Sequence, residues 1–370
     1  MTNRDIIQAE AFQESIRHHR CGLDISMRVG KTKIGLMYLD HFFQNFIRIA
    51  VVAPKTAIFK SWKDDIATFH YERLASCITY VTYRSLTKLD PNQVDILVLD
   101  EFHSMLPSHL VFLKRYKGRI LGLDGSPPDN EYSDKGKMMK YYCPIKYTYK
   151  TDEGVADGVL NNYRIWVHLL NLDPANTLKM TSKSGKTWYT SEVKSYAYWT
   201  EQVNDAQTPK AKNMAAVMRM KAMMGFPSKQ VLTKKLIREI SFKKLLIFTN
   251  TKEQADAITA VSYHSANKES ASNLMLFSAG VFDIMACILQ ISEGITVNGL
   301  TTVLVQHSFG NNSKLAQRFG RGLGLDPNET SDLHVLCYAD TQDVVWVNNA
   351  LEYFDASKVT IIDKYLTKAA

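Results

Sequence analysis

Along the first third of the chain, short runs of β-branched and aliphatic residues alternate with stretches whose apolar positions recur every three or four residues. Residues 47–53 (IRIAVVA), 77–82, 94–99 (VDILVL) and 119–123 (RILGL) have strand length and little polar alternation, the pattern of strands covered on both faces. Residues 5–20, ahead of the first of these runs, and residues 61–69 predict helices. Residues 244–249 (KLLIFT), 281–291, 301–306 and 333–338 predict a second series of strands. Between the two series lie a turn-rich stretch at 126–136, a polar segment (TSKSGKTWY) that predicts a loop, and a helix over 210–224. On that helix Met214, Val217, Met218 and Met224 fall at helical spacing and predict a core-facing stripe. Strands alternating with helices predict an α/β chain. Its two domains, residues 1–150 and 151–370, would each be built on a mostly parallel sheet flanked by helices.

The 370 residues suffice for two such cores, and 45% hydrophobic with 22% charged residues excludes a largely disordered chain. No apolar run approaches the roughly 20 residues of a spanning helix, and the first residues lack the apolar stretch of a secretory signal. Five scattered cysteines (Cys21, Cys77, Cys143, Cys287, Cys337) form neither a C-x-x-C pair nor a zinc spacing with the ten histidines. They predict reduced thiols in a cytoplasm. The net charge is +8. Residues 179–244 alone hold 14 Lys and Arg against Glu192, Glu201, Asp205 and Glu239, an excess larger than that of the whole chain. Trp188, Tyr189, Tyr196, Tyr198 and Trp199 are interleaved with those cations, a composition suited to nucleic acid.

Gly30-Lys31-Thr32 follows an apolar stretch and opens a helical one (KIGLMYL). At a helix start, free backbone N–H groups and the dipole favour an anion. A lysine there reaches the β- and γ-phosphates, and the threonine hydroxyl can ligate Mg²⁺. A second Gly-Lys-Thr at 185–187 has no apolar strand before it and predicts no such site. Asp100-Glu101-Phe102-His103 directly follows the strand VDILVL. An aspartate at the carboxyl end of a buried strand can hold Mg²⁺, and the next glutamate can orient and deprotonate water. Together these features predict ATP hydrolysis.

With these residues in this order the chain resembles superfamily 2 helicases and translocases. Residues 26–32 (SMRVGKT) resemble motif I, residues 100–103 (DEFH) the DEAH-type motif II, and residues 124–127 (DGSP) motif III. VVAPKTAIFKSWKDDI resembles motif Ia of the Swi/Snf branch down to Trp62, and VTYRSL motif Ib. LLIFTNTKEQADAI, EGITVNGLTTVLV and QRFGR resemble motifs IV, V and VI, and DGVLNNYRI a linker strand of the phage UvsW type. Gly324 stands where motif VI has a second arginine.

The resemblance implies two tandem RecA-like domains with an ATP site in the cleft between them, and ATP and Mg²⁺ as cofactors. It assigns catalysis to Lys31, Asp100, Glu101, Gln317 and Arg321, and Mg²⁺ to Thr32 and Asp100. Nucleotide contacts fall to Gln8, Arg28, Val29, Gly30, Lys31, Thr32, Gly294 and Arg318. Nucleic-acid contacts fall to Lys55, Thr82, Arg84, Thr249 and His264. The implied protein is a monomeric, cytoplasmic DNA helicase or translocase of a bacterium or phage-infected host. It would act on single-stranded, duplex or branched DNA in replication, recombination or repair, alongside proteins of those processes and without a membrane. An RNA-dependent ATPase of the same fold, or a nucleic-acid-binding module with weakened ATPase, are the alternatives at this point.

Overall fold

The computed structural model describes residues 2–125, 132–182, 184–288, 297, 299–308 and 312–366. The chain forms two compact units. The first takes in Met1–Asn162, Ile291–Val297 and Phe319–Ser331, and the second Tyr163–Gln290, Asn298–Arg318 and Asp332–Ala370.

In the first unit the strands are β1 (Arg20–Ile25), β2 (Ile49–Ala53), β3 (Ile78–Thr82), β4 (Ile96–Asp100), β5 (Arg119–Asp124) and β6 (Ile145–Tyr149). They form one parallel sheet in the order β3-β2-β4-β5-β1-β6. The helices are α1 (Asn3–Ile16), α2 (Lys31–His41), α3 (Thr56–Thr68), α4 (Glu72–Ala75), α5 (Leu110–Leu113), α6 (Asp134–Tyr142) and α7 (Thr151–Ala156). Consecutive residues of a strand feed opposite cores: Ile49, Val51, Ile96 and Val98 pack into one cluster, and Ala50, Val52, Leu97 and Leu99 into another. This is why these strands read as unbroken apolar runs. The first strand departs from expectation. The predicted helix over 5–20 ends at Ile16, and Arg20 already begins β1. Gly22 and Asp24 interrupt its apolar run although the strand lies between β5 and β6.

In the second unit, β10 (Leu245–Phe248), β11 (Ser262–Tyr263), β12 (Ile284–Cys287), β13 (Thr302–Val305) and β14 (Thr330–Tyr338) pair in parallel. With β7 (Asn162–Leu170) and β15 (Val359–Tyr365), also a parallel pair, they complete a sheet in the order β11-β12-β10-β13-β14-β7-β15. The residues between β7 and β10 form a separate hairpin, β8 (Leu178–Thr181) and β9 (Thr187–Thr190), then α8 (Glu192–Asn204), α9 (Pro209–Gly225) and α10 (Pro227–Glu239). Helices α11 (Lys252–Asp256), α12 (Ser270–Ser278), α13 (Asn312–Gly322) and α14 (Gln342–Leu351) follow, the residues of α13 from Phe319 on belonging to the first unit.

Two expectations are corrected here. The ends of the segment TSKSGKTWY are strand rather than loop: Thr181 closes β8, and Thr187, Trp188 and Tyr189 lie in β9. On α9 the core-facing residues are Ala215, Met223 and Met224, while Met214, Val217 and Met218 face solvent, Met214 being 67% exposed. Among the described residues no helix is long and apolar enough to cross a membrane.

Candidate active site

Helix α2 begins without a side-chain cap. Its N-cap residue Gly30 sits at φ 106°, a left-handed conformation that a side chain strains. The first-turn amides of α2 are thereby left to an incoming anion. The loop before the helix is braced from α1: Gln8 Nε2 donates to the Val29 carbonyl at 2.6 Å and Arg4 Nε to the same oxygen at 3.0 Å. A Cβ on Gly30 would meet Gln8 Nε2 at 2.4 Å, so Gln8 also fixes the identity of that residue.

Above the loop, in the first unit, opens a cavity of about 280 Å³ lined by Arg4, Arg28, Lys31, Thr32, Asp65, Asp100, Glu101 and Arg321, among others. Lys31 Nζ lies 3.3 Å from the Ile25 carbonyl and 3.9 Å from Glu101 Oε1. Arg28, at φ 68°, donates from Nη2 to the Arg321 carbonyl at 2.8 Å. Burial, followed by the charges of Arg321 and Arg4, pushes the Arg28 guanidinium down to about 10. Glu101 is a second non-glycine residue in the left-handed region, at φ 52°. Backbone strain of this kind gathers where a side chain must be aimed.

The carboxylates are held by neighbours on three elements. Trp62, fully buried on α3 in line with Ile58 and Ile66, donates its indole N–H to Asp100 Oδ2 at 2.9 Å. Burial and the adjoining Glu101 push Asp100 up to about 7, while the Trp62 hydrogen bond and Lys31 pull the other way. Asp65, one turn beyond Trp62, sits beside Thr32: burial raises its pKa and the Thr32 hydroxyl lowers it. Burial disfavours charge on His103, but Asp124 and then Glu101 lift it above the usual histidine value. The His103 backbone N–H donates to Asp124 Oδ2 at 2.6 Å, and its ring Nδ1 lies 3.0 Å from Asp124 Oδ1.

The structure therefore brings Arg28, Gly30, Lys31, Thr32, Asp100, Glu101 and Arg321 together around one cavity. Gln8 does not line it and instead ties down the loop. Gln317 and Arg318 are buried in the second unit, where Arg318 Nη1 donates to the His307 carbonyl at 2.6 Å. Gly294 lies outside the described residues, as do Ser126 and Pro127 of the motif III match.

Of the nucleic-acid candidates, Lys55 and Arg84 are exposed and Thr82 half-buried. Thr249 and His264 are placed differently from these three. Both are buried: the Thr249 hydroxyl donates to the Thr251 and Cys287 carbonyls, and His264 Nε2 lies 2.8 Å from Asp256 Oδ1. Their side chains support the second unit from within. Sequence reasoning missed Arg4, Trp62 and Asp65 as parts of the site. The signal was the polar Asp65 beside the buried stripe Ile58–Trp62–Ile66, in a segment that already resembled motif Ia.

Residues 228–323 match the helicase conserved C-terminal domain. The fold is similar to that of the ATP-dependent Type ISP restriction-modification enzyme LlaBIII bound to DNA, with a TM-score of 0.61 at 11% identity. That likeness covers 98% of this chain and 31% of the enzyme. The DUF1998 helicase MrfA bound to DNA gives 0.61 at 11% identity, covering 96% of this chain and 49% of MrfA. Mycobacterium smegmatis helicase Lhr, bound to single-stranded DNA and AMP-PNP, gives 0.57 at 12% identity, covering 95% and 48%. The chain thus spans about a third to a half of the length of these proteins. No curated protein matches the sequence. These likenesses show the fold: two parallel-strand sheets flanked by helices, consistent with the tandem RecA-like domains of helicases.

Proposed function

We propose that the chain is a nucleic-acid-dependent ATPase that couples ATP hydrolysis to movement on, or remodelling of, duplex or branched DNA. The observation that carries this reading is the cavity at the start of α2, which gathers cations and carboxylates around uncapped helix amides. That donor set suits a magnesium–nucleotide: Arg4, Lys31 and Arg321 supply positive charge, Thr32 and Asp100 hard oxygen ligands. Bound ATP supplies the γ-phosphoryl group that is transferred to water.

Lys31 would neutralise charge on the β- and γ-phosphates, and Thr32 and Asp100 would hold the cation. Glu101 orients water and takes its proton, and Arg321 stabilises charge developing on the departing phosphoryl. Trp62 is a positioning residue that fixes the Asp100 carboxylate. The two compact units would serve as the RecA-like domains that the sequence divides at residue 150. Lys55, Thr82 and Arg84 would touch the sugar–phosphate backbone of DNA, and such contacts are sequence-blind. The DNA-bound states of LlaBIII and MrfA support DNA as the track. Resemblance to the UvsW type supports a role in phage replication, recombination or repair.

The test is an ATPase assay with single-stranded DNA, duplex DNA, a forked junction and RNA as activators. DNA, and the fork above all, is expected to stimulate the wild type. Lys31→Ala is expected to lose hydrolysis at least a hundredfold while still binding DNA. Stimulation by RNA alone would replace the DNA reading, and turnover retained in Lys31→Ala would remove the site assignment.

A further inference from the structure

The hairpin β8–β9 stands apart from both large sheets, its two strands pairing with each other. An isolated two-stranded hairpin is marginal in water unless something anchors it. Here the root is anchored. Leu178 packs on the core of the second unit. The fully buried Glu192, at the start of α8, accepts from the Asp173 backbone N–H at 2.9 Å. It accepts also from the Ser228 backbone N–H at 2.9 Å and the Ser228 hydroxyl at 2.7 Å. Lys194 donates to Asn176 Oδ1 at 3.3 Å on the same approach.

Beyond that root the strands are bare. Trp188 is 44% and Tyr189 63% exposed, and Met180, Lys179 and Lys186 are exposed with them. The register sets Met180 opposite Trp188 and Lys179 opposite Tyr189, and directly opposed residues share a face. Each face of the hairpin therefore carries one aromatic ring, and the Tyr189 face carries an ammonium beside it. Residues 178–191 contain three lysines and no acid.

We propose that this hairpin binds single-stranded polynucleotide, with bases stacked on Trp188 and Tyr189 and phosphates on Lys179 and Lys186. The inference rests on the nucleic-acid half of the function proposed above. Exposed rings next to uncompensated cations fit a partner that offers aromatic faces and regular negative charge together. A duplex offers the charge but keeps its base faces stacked inside, so a single strand fits better.

The experiment is a fluorescence-anisotropy titration of the full chain with dye-labelled oligothymidylate and with a blunt duplex of equal phosphate count. Trp188→Ala is expected to weaken oligothymidylate binding about tenfold and the Trp188→Ala/Tyr189→Ala pair about a hundredfold, with duplex binding within twofold of wild type. Trp188→Phe should recover most of the loss. Lys179→Gln with Lys186→Gln should flatten the slope of log K against log salt by about 1.4. Unaltered melting temperatures would separate these effects from misfolding. Wild-type binding with equal affinity in the double-alanine variant overturns the hairpin assignment alone. An equal loss on the duplex overturns its single-strand character. A wild type that binds no polynucleotide overturns both this inference and the function it rests on.

Discussion

Trp62 is in two places at once. Its ring fills the core under α2, and its N–H reaches the carboxylate of Asp100. A hydrogen bond to a charged group contributes about 1.5–3 kcal/mol, and here it acts on a carboxylate that burial would otherwise protonate. Trp62→Phe keeps most of the packing and deletes the donor. It is expected to lower kcat by about tenfold or more and to raise the Mg²⁺ concentration needed for half-maximal rate, while the urea midpoint moves little. An unchanged Mg²⁺ requirement would show that Asp100 is oriented without the indole. The same residue marks what the sequence could and could not disclose. Lys31, Asp100 and Glu101 were legible because their chemistry follows from position after a strand or before a helix. Trp62 was legible only as a motif match, because a partner 38 residues away is a property of the folded sheet.

At the scale of elements, α2 and α3 meet through an unusually close approach. A Cβ on Gly35 would lie 2.6 Å from Trp62 Cη2. Elsewhere in a helix, Gly→Ala stabilises by about 1 kcal/mol. Here the neighbour is a fully buried ring tied by a hydrogen bond, so overpacking outweighs propensity. Gly35→Ala is expected to destabilise by about 1–3 kcal/mol, read as a lower urea midpoint. A rise would mean that the ring yields.

Legibility of the elements followed burial. Strands such as β2 and β4, covered on both faces, were plain in the sequence. The hairpin β8–β9 was not, since both faces are wet and no period develops. Helix α8 was missed because Glu192 and Ser195 are buried where apolar residues would have been expected. Of the stripe expected on α9, Met224 is core-facing, but Met214, Val217 and Met218 are not, because the methionines run around the whole helix.

At the scale of the molecule, a buried histidine pair contributes to acid sensitivity. His168 Nε2 lies 2.9 Å from His334 Nδ1, between Trp166 and Tyr365. The groups around the pair are Arg164 on β7, Asp332 on β14, Lys364 on β15 and Glu239 on α10. Burial first, then the nearby Lys364, pushes His168 down to about 4. Burial and His168 push His334 down to about 3. Both are depressed below the unfolded histidine value of about 6.5, so the unfolded chain binds more protons once pH falls past that point. The pair's contribution to stability is fully present above about pH 6.5 and is lost toward pH 4, at about 1.4 kcal/mol per pH unit for each histidine. Urea unfolding at pH 7, 6 and 5 checks this, and His168→Phe should remove about half of the pair's slope. A midpoint constant across that range would place the acid-sensitive groups elsewhere.

The hydrogen bond from Trp62 has an optical consequence. Indole emission responds to charge and dipoles at its nitrogen, so the ring is a native gauge of whatever arrives at Asp100. In a chain where Trp166, Trp188, Trp199 and Trp346 are replaced by phenylalanine, that single fluorophore would follow cation and nucleotide arrival in real time, with no dye attached.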